Sequence, residues 1–432
     1  MSGRWSLPAL MLLALPVQAA EIATGRPELQ GMSSDRLQRV QALNQRYTDA
    51  GIIAGIVTAV ARNGVIVHQS ASGVRGVDDP RPIALDDLFR IYSMSKPVTA
   101  VAAMQLYEQG AFQLSDPVSR FIPELKDLKV IENGVLRPAK REMTMHQLLT
   151  HTAGLSYGFD PGNPIDRMYV EASLWEAKDL DDFVTRLARL PLMFDPGGEW
   201  QYSVAVDVTG LVVERISGQP FDEYLNEHIF QPLDMVDTGF NVPPDERHRL
   251  LPNHVLDSGT NRSVSIDNVF EFFPQAADMF YRNCRAMCDF DDVTLYSGGS
   301  GLVSTLRDYL RFALAMRDGE LDGQRILSPK TVNFMRRNHL AAGVHPVSPI
   351  ERIPFASGGW GIGFSVLTDP AAQGIMASVG DYSWTGGAGT VFWIDPVEDI
   401  VVVSMMQLLG TWPSYQWELR VATNQALTVS ME

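Results

Sequence analysis

Strand-like segments lie at the two ends of this chain and helical ones between them, and that arrangement constrains the fold more than any single motif. Near the start, 55–62 and 65–73 are strand-like, and Asn63-Gly64 between them supplies the residues that a type I′ turn needs. Near the end, 361–367, 389–394 and 400–406 read as strands. From 144 to about 282 the apolar spacing is mainly helical, clearest at 146–150, 180–190, 206–216 and 221–229, and broken by loops rich in Pro and Gly. Helices are also expected at 35–50, 96–109, 306–316 and 415–427, and Thr305 with Asp308 has the spacing of a capping box. The economical architecture is α/β (α+β): one antiparallel sheet built from both chain ends and flanked by helices. A helical lobe of about 97–290 is inserted in it, with a site between the lobes.

A short strand expected at 89–92 runs into Ser93-Met94-Ser95-Lys96, which opens a helix. Serine and lysine three apart share one helix face about one turn from each other, so an amine can reach a hydroxyl within one element. A neutral lysine there can take the serine proton and leave a nucleophile. The helix N-terminus brings positive partial charge, and the Ser93 N–H can serve as one donor of an oxyanion hole. The chain has six lysines, and only Lys96 has a serine three before it, so a chance match is not surprising and partners must be found elsewhere.

The chain of 432 residues carries a formal net charge of -16. An acidic surface repels nucleic acid and anionic membranes and excludes both as natural partners. Arg4, the apolar stretch 7–15 and the small residues at 17–20 form a secretory signal, with cleavage after Ala19 or Ala20. The stretch is too short to span a bilayer, so a periplasmic or secreted protein of residues 21–432 is expected. Export permits disulfides; Cys284 and Cys288 are the only cysteines, and whether they pair stays open. Two thiols with no nearby histidine do not make a zinc site.

A second serine also fits a catalytic pattern. Gly154-Leu155-Ser156-Tyr157-Gly158 matches G-x-S-x-G, but that elbow needs a strand before it and a helix after it. Here a helical segment precedes it and a loop follows, which makes Ser156 a decoy. A better partner for Lys96 is Tyr202, delivered by the loop Pro196-Gly197-Gly198-Glu199-Trp200-Gln201 just before a helix. An ordinary phenol is too weakly acidic to be a base at neutral pH, but a charged lysine beside it favours the anion, so Tyr202 and Lys96 could share one proton. Taken alone, such a tyrosine is more often a core residue. Trp384-Thr385-Gly386-Gly387-Ala388-Gly389-Thr390 leads into a strand, and small residues there let a substrate approach the backbone closely. Taken alone it reads as a Gly-rich turn.

Taken in order, these elements resemble the serine β-lactamase and penicillin-binding protein family, in particular its class C and esterase branch (family VIII carboxylesterase-like). Ser93-Met94-Ser95-Lys96 matches S-x-x-K, Tyr202-Ser203-Val204 falls at Y-x-N, and Trp384-Thr385-Gly386 falls at K-T-G. Leu148-Leu149-Thr150-His151-Thr152-Ala153-Gly154-Leu155, Pro232-Leu233-Asp234-Met235-Val236-Asp237-Thr238-Gly239-Phe240 and Gly301-Leu302-Val303-Ser304-Thr305 add to the match over nearly all of the mature chain. The resemblance implies a β-lactamase-like fold, Ser93 as acylated nucleophile, Lys96 and Tyr202 as the proton-handling pair, and the N–H groups of Ser93 and Gly387 as the oxyanion hole. Trp384, Val204, Thr385 and Gly386 would bind substrate. His151 and His146 are read as structural, and neither metal nor organic cofactor is required.

The departures point to the substrate. Val204 stands where class C enzymes have an asparagine for the lactam amide, and Trp384 where they have a lysine for the drug's carboxylate. Losing an amide contact and a cationic anchor weakens binding of an anionic lactam and suits an uncharged ester. The aromatic-rich segments 157–175 and 269–281 are expected beside the acyl site, although core packing explains any one of their residues equally well. The expectation is therefore an ester hydrolase acting on small molecules. The rivals are turnover of β-lactams, D-alanyl peptides or small amides at the same site, and a non-catalytic cell-wall or ligand-binding protein.

Overall fold

In the computed structural model, which describes residues 21–160, 162–265, 290, 292–347, 358–410 and 414–432, Asn63 and Gly64 both take positive φ (54° and 76°). They join strands β1 (Gly55–Arg62) and β2 (Val65–Gly76) as the turn chemistry requires. The short β3 (Asp79–Pro82) continues on the outer side. On its other edge β1 pairs with a strand from the far end of the chain, β8 (Ile400–Met405), in the register Val57↔Met405 to Arg62↔Ile400. Outward from β8 lie β7 (Val391–Asp395), β6 (Tyr382–Thr385), β5 (Ser365–Leu367) and β4 (Gly358–Trp360), all antiparallel. The single sheet made from both ends is the one the sequence predicts. All residues of β1, β7 and β8 are buried, since helices cover both faces.

Helices α1 (Ser34–Asp49) and α8 (Tyr415–Asn424) pack on one face. There Tyr415 bridges the layers, donating to Asn44 at 2.8 Å and meeting Ser404 at 2.8 Å. Against the other face lie α2 (Ser95–Glu108) and α7 (Leu306–Ala315). Helix α2 is buried on every side from Ser95 to Met104, because its small residues let neighbours approach; a Cβ on Gly363 would lie 2.5 Å from that of Ala100. Beyond α2 sit α3 (Met145–Leu149), α4 (Pro164–Glu171), α5 (Leu180–Leu187) and α6 (Ala205–Ser217).

The structure corrects several local expectations. Of the segment 361–367 only Ser365–Leu367 is strand; 361–364 is the bend of the β4–β5 hairpin, where Gly363 takes φ 93°. Strand β6 was hidden in a stretch read as turn, because its Trp384 and Thr385 precede the glycines of the true turn at 386–390. The middle is not purely helical: Lys129–Glu132 pairs with Val135–Pro138 across Asn133-Gly134, and His254–Asp257 pairs with Arg262–Ser265. Thr305 caps α7 by accepting from the Asp308 N–H at 3.2 Å, but the reciprocal half of the box is missing. The Asp308 carboxylate instead accepts from the Asp237 N–H at 2.7 Å and Thr238 at 3.0 Å. No described helix is long and apolar enough to cross a membrane. The leader at 1–20, the cysteine pair and the segment 269–281 lie outside the described residues.

Candidate active site

The chain enters the site through a strained turn. Strand residues Phe89–Arg90 pair with Val303–Ser304, and Tyr92 then takes φ 44°, a left-handed conformation unusual for an aromatic residue. The Asn253 amide donates to its hydroxyl at 2.7 Å and holds the ring in place. The kink turns Ser93 outward at the head of α2 while Met94, Ser95 and Lys96 point into the protein. Lys96 has no exposed surface; its Nζ donates to Ser93 Oγ at 3.0 Å and to the Gly299 carbonyl at 2.7 Å. Burial holds the amine well below its ordinary value, at about 7, with buried Asp207 opposing the shift. The neutral amine, able to accept a proton, is thus accessible near neutral pH.

Tyr202 is buried beside it, with Lys96 Nζ 4.6 Å from the centre of its ring. Burial pushes its phenol above the usual range, while Ser93 and Trp384 pull in the other direction by hydrogen bonding. The Trp384 indole N–H donates to the Tyr202 oxygen at 3.2 Å. Desolvation penalises both charged forms, so burial favours the neutral phenol and draws the amine toward its neutral form.

The third element meets the other two. The Gly386 N–H donates to the Thr390 carbonyl at 2.7 Å and closes the turn after β6. A Cβ on Gly386 would strike the Ile91 carbonyl, and one on Gly387 would lie 3.8 Å from Tyr92, so the turn rests against the backbone that presents Ser93. Trp384, Thr385 and Gly387 are partly exposed. Val204 is not: it has no exposed surface and packs in the main core at the N-terminus of α6. Its place in the motif puts its backbone next to the site and its side chain among apolar neighbours.

Ser156 is fully buried; its hydroxyl donates to Asp166 and accepts from the Gly158 N–H at 3.2 Å, so it braces a loop. His151 is buried with φ 57°, its Nδ1 3.2 Å from Ser203 Oγ and its ring 5.0 Å from that of Tyr202. Burial, and secondarily Lys96, keep it neutral. His146 pairs with His339 at 3.3 Å.

Two features escaped the sequence reading. One is Trp360, whose ring lies 4.6 Å from that of Trp384 and which joins Trp200 and Tyr202 in an aromatic cluster walling the site. The other is Asp207, fully buried in the first turn of α6, which accepts from Ser297 Oγ at 2.5 Å and the Gly299 N–H at 3.0 Å. A lone acid inside the apolar run Val204-Ala205-Val206-Asp207-Val208 was the available signal.

Comparison with known proteins agrees with this geometry. The family model described as Beta-lactamase matches residues 40–423. Protein Rv1367c of Mycobacterium tuberculosis is 34% identical over 376 residues, 85% of this chain and 89% of that protein. Esterase EstB of Burkholderia gladioli is 33% identical over 361 residues, 82% of this chain and 85% of that one. Among solved structures, "EstCE1, a hydrolase with promiscuous acyltransferase activity" superposes with a TM-score of 0.73 at 27% identity, covering 90% of this chain and 98% of that chain.

Proposed function

The chain belongs to the beta-lactamase family, and from that premise we propose that it is a serine esterase that cleaves small, uncharged carboxylic esters through an acyl-enzyme on Ser93. The observation that carries the reading is the buried Lys96 amine 3.0 Å from Ser93 Oγ, poised between its protonated and neutral forms at physiological pH. Neutral Lys96 takes the Ser93 proton as Oγ attacks the ester carbonyl. The developing oxyanion is received by the N–H groups of Ser93 and Gly387. The Tyr202 phenol protonates the departing alkoxide and recovers the proton through Lys96. Water then attacks the acyl-enzyme by the same steps in reverse. Trp384, half-buried against the buried Trp200 and Trp360, offers apolar surface to an acyl or alkoxy group and no cation to a lactam's carboxylate. EstB, by its name an esterase, supports the same substrate class.

Purified protein is expected to hydrolyse p-nitrophenyl butyrate, and Ser93→Ala to lose at least about a thousandfold in kcat/KM. Ser156→Ala retains catalysis. Full activity in the Ser93 variant, or nitrocefin turnover equal to ester turnover, would sink the proposal.

Residues 1–20 serve, in the same reading, as a cleaved export signal, and 21–432 as one hydrolase domain carrying the 97–290 lobe. Support comes from the leader's Arg4, apolar core and small residues before the cleavage point. N-terminal sequencing of the exported protein should begin at residue 20 or 21.

A further inference from the structure

Lys96 is the base of the proposed site, yet nothing in its own helix fixes the far side of its amine. That side is held by the turn Ser297-Gly298-Gly299, which is held in turn by Asp207. The Gly299 carbonyl accepts from Lys96 Nζ at 2.7 Å, and the Gly299 N–H donates to Asp207 Oδ1 at 3.0 Å. The same carboxylate oxygen accepts from Ser297 Oγ at 2.5 Å, and Oδ2 accepts a long 3.5 Å bond from Tyr157. The fit is tight. A Cβ on Gly299 would lie 2.6 Å from Asp207 Oδ2 and 2.7 Å from the Tyr157 hydroxyl, so only glycine admits the carboxylate this close. Asp207 sits in the first turn of α6, where the helix dipole favours negative charge. Because Tyr202 lies five residues earlier, one loop-to-helix junction supplies both the phenol and the carboxylate.

We propose that Asp207 is a positioning residue of the reaction: through the Ser297–Gly299 turn it fixes the Lys96 amine on Ser93, and its negative charge sets how readily that amine holds a proton. The inference rests on the reading of Ser93 as nucleophile and Lys96 as its base.

The groups facing Lys96 are few. The rings of Tyr157 and Tyr202 lie 5.1 and 4.6 Å from Nζ, both phenols are pushed up by burial and uncharged, and His151 is held neutral. Among the described residues Asp207 is the charged side chain that acts on Lys96, and it acts against the effect of burial. Burial raises the carboxyl group itself, while Lys96, Ser297 and Gly299 pull it back toward the anion. Without that charge the amine loses its proton at lower pH.

The test is Asp207→Asn, which keeps an acceptor for Ser297 and Gly299 and removes the charge. Ester kcat/KM and the rate of Ser93 phosphonylation by a fluorophosphonate are both followed from pH 5 to 9. In the wild type the acid limb of each is expected near pH 7. In the variant its midpoint should move down by about one pH unit or more, and the plateau should fall about tenfold to a hundredfold as the amine loses its fixed place. A lowered plateau with an unmoved midpoint overturns the proposal, since a brace of purely structural kind would give that result. Should Asp207→Asn fail to fold, Ser297→Ala weakens the same anion and should move the midpoint in the same direction by less; an unmoved midpoint there is equally fatal. Phosphonylation reads Lys96 whatever the natural substrate is. Absent ester turnover with a normal labelling limb therefore refutes the esterase reading alone, and absent labelling refutes both.

Discussion

Replacing Lys96 by methionine should abolish catalysis and at the same time remove a pH dependence from folding. In the unfolded chain the amine titrates at its ordinary value of 10.5, and in the folded protein at about 7. Between those values the unfolded state binds more protons, so stability rises with pH across that window and is lost as pH falls toward 7. Integrating the two titrations from pH 7 to 9.5 gives wild type a gain of about 3 kcal/mol that the methionine variant lacks. At pH 7 the variant gains what the wild type spends on stripping the amine of its proton. It loses about 1–3 kcal/mol by leaving the buried Gly299 carbonyl without its donor, so it should be more stable than wild type there by a small margin. The assay is urea unfolding of both proteins at half-unit steps across this range, read as the difference between them so that all other titrating groups cancel. A difference that stays constant with pH would show that Lys96 is protonated in the folded state, and the argument for a neutral base would fall with it.

Two further outcomes follow from the same structure. Gly386→Ala places a methyl group against the Ile91 carbonyl and the Thr390 hydroxyl, forcing the β6 turn away from Ser93; kcat should fall about tenfold to a hundredfold, and unchanged kcat would contradict the placing of Gly387. Arg62→Met leaves Glu398 as an unpaired buried carboxylate where a 2.8 Å ion pair stood, with a cost of about 3–5 kcal/mol in urea unfolding that adding Glu398→Gln should partly restore.

What was legible in the sequence was what is decided locally. Asn63-Gly64 specifies its turn by its own φ preferences, and Ser93 and Lys96 are joined by one turn of helix. Tyr202 and Trp384 were found because short motifs carried them. The location of the proton was not legible, because it depends on how completely the tertiary structure removes water from Lys96 and Tyr202, and composition says nothing of that. Asp207 was missed for a related reason. Its partners Ser297 and Gly299 lie some ninety residues away in the chain, and no local spacing records their meeting. Val204 was placed by motif at the substrate, but a motif fixes backbone position, and its apolar side chain follows the core. The Lys129–Pro138 hairpin has the same Asn-Gly signal as the first one, in a stretch assigned to the helical lobe as a whole without a reading of its own.

The pairing of β1 with β8 also governs when this protein can exist as an enzyme. The second strand and the serine that follows it leave the ribosome about three hundred residues before Ile400–Met405 is made, and until then the central edge of β1 has no partner. Contacts of such long sequence separation close slowly, and an unpaired apolar strand is a site of aggregation in the interval. The turn that completes the site at Gly386–Thr390 arrives just before the strand that completes the sheet. The nascent chain is therefore silent until Ile400–Met405 has been made, and a truncation that removes β8 should yield an insoluble product in place of a weakened catalyst.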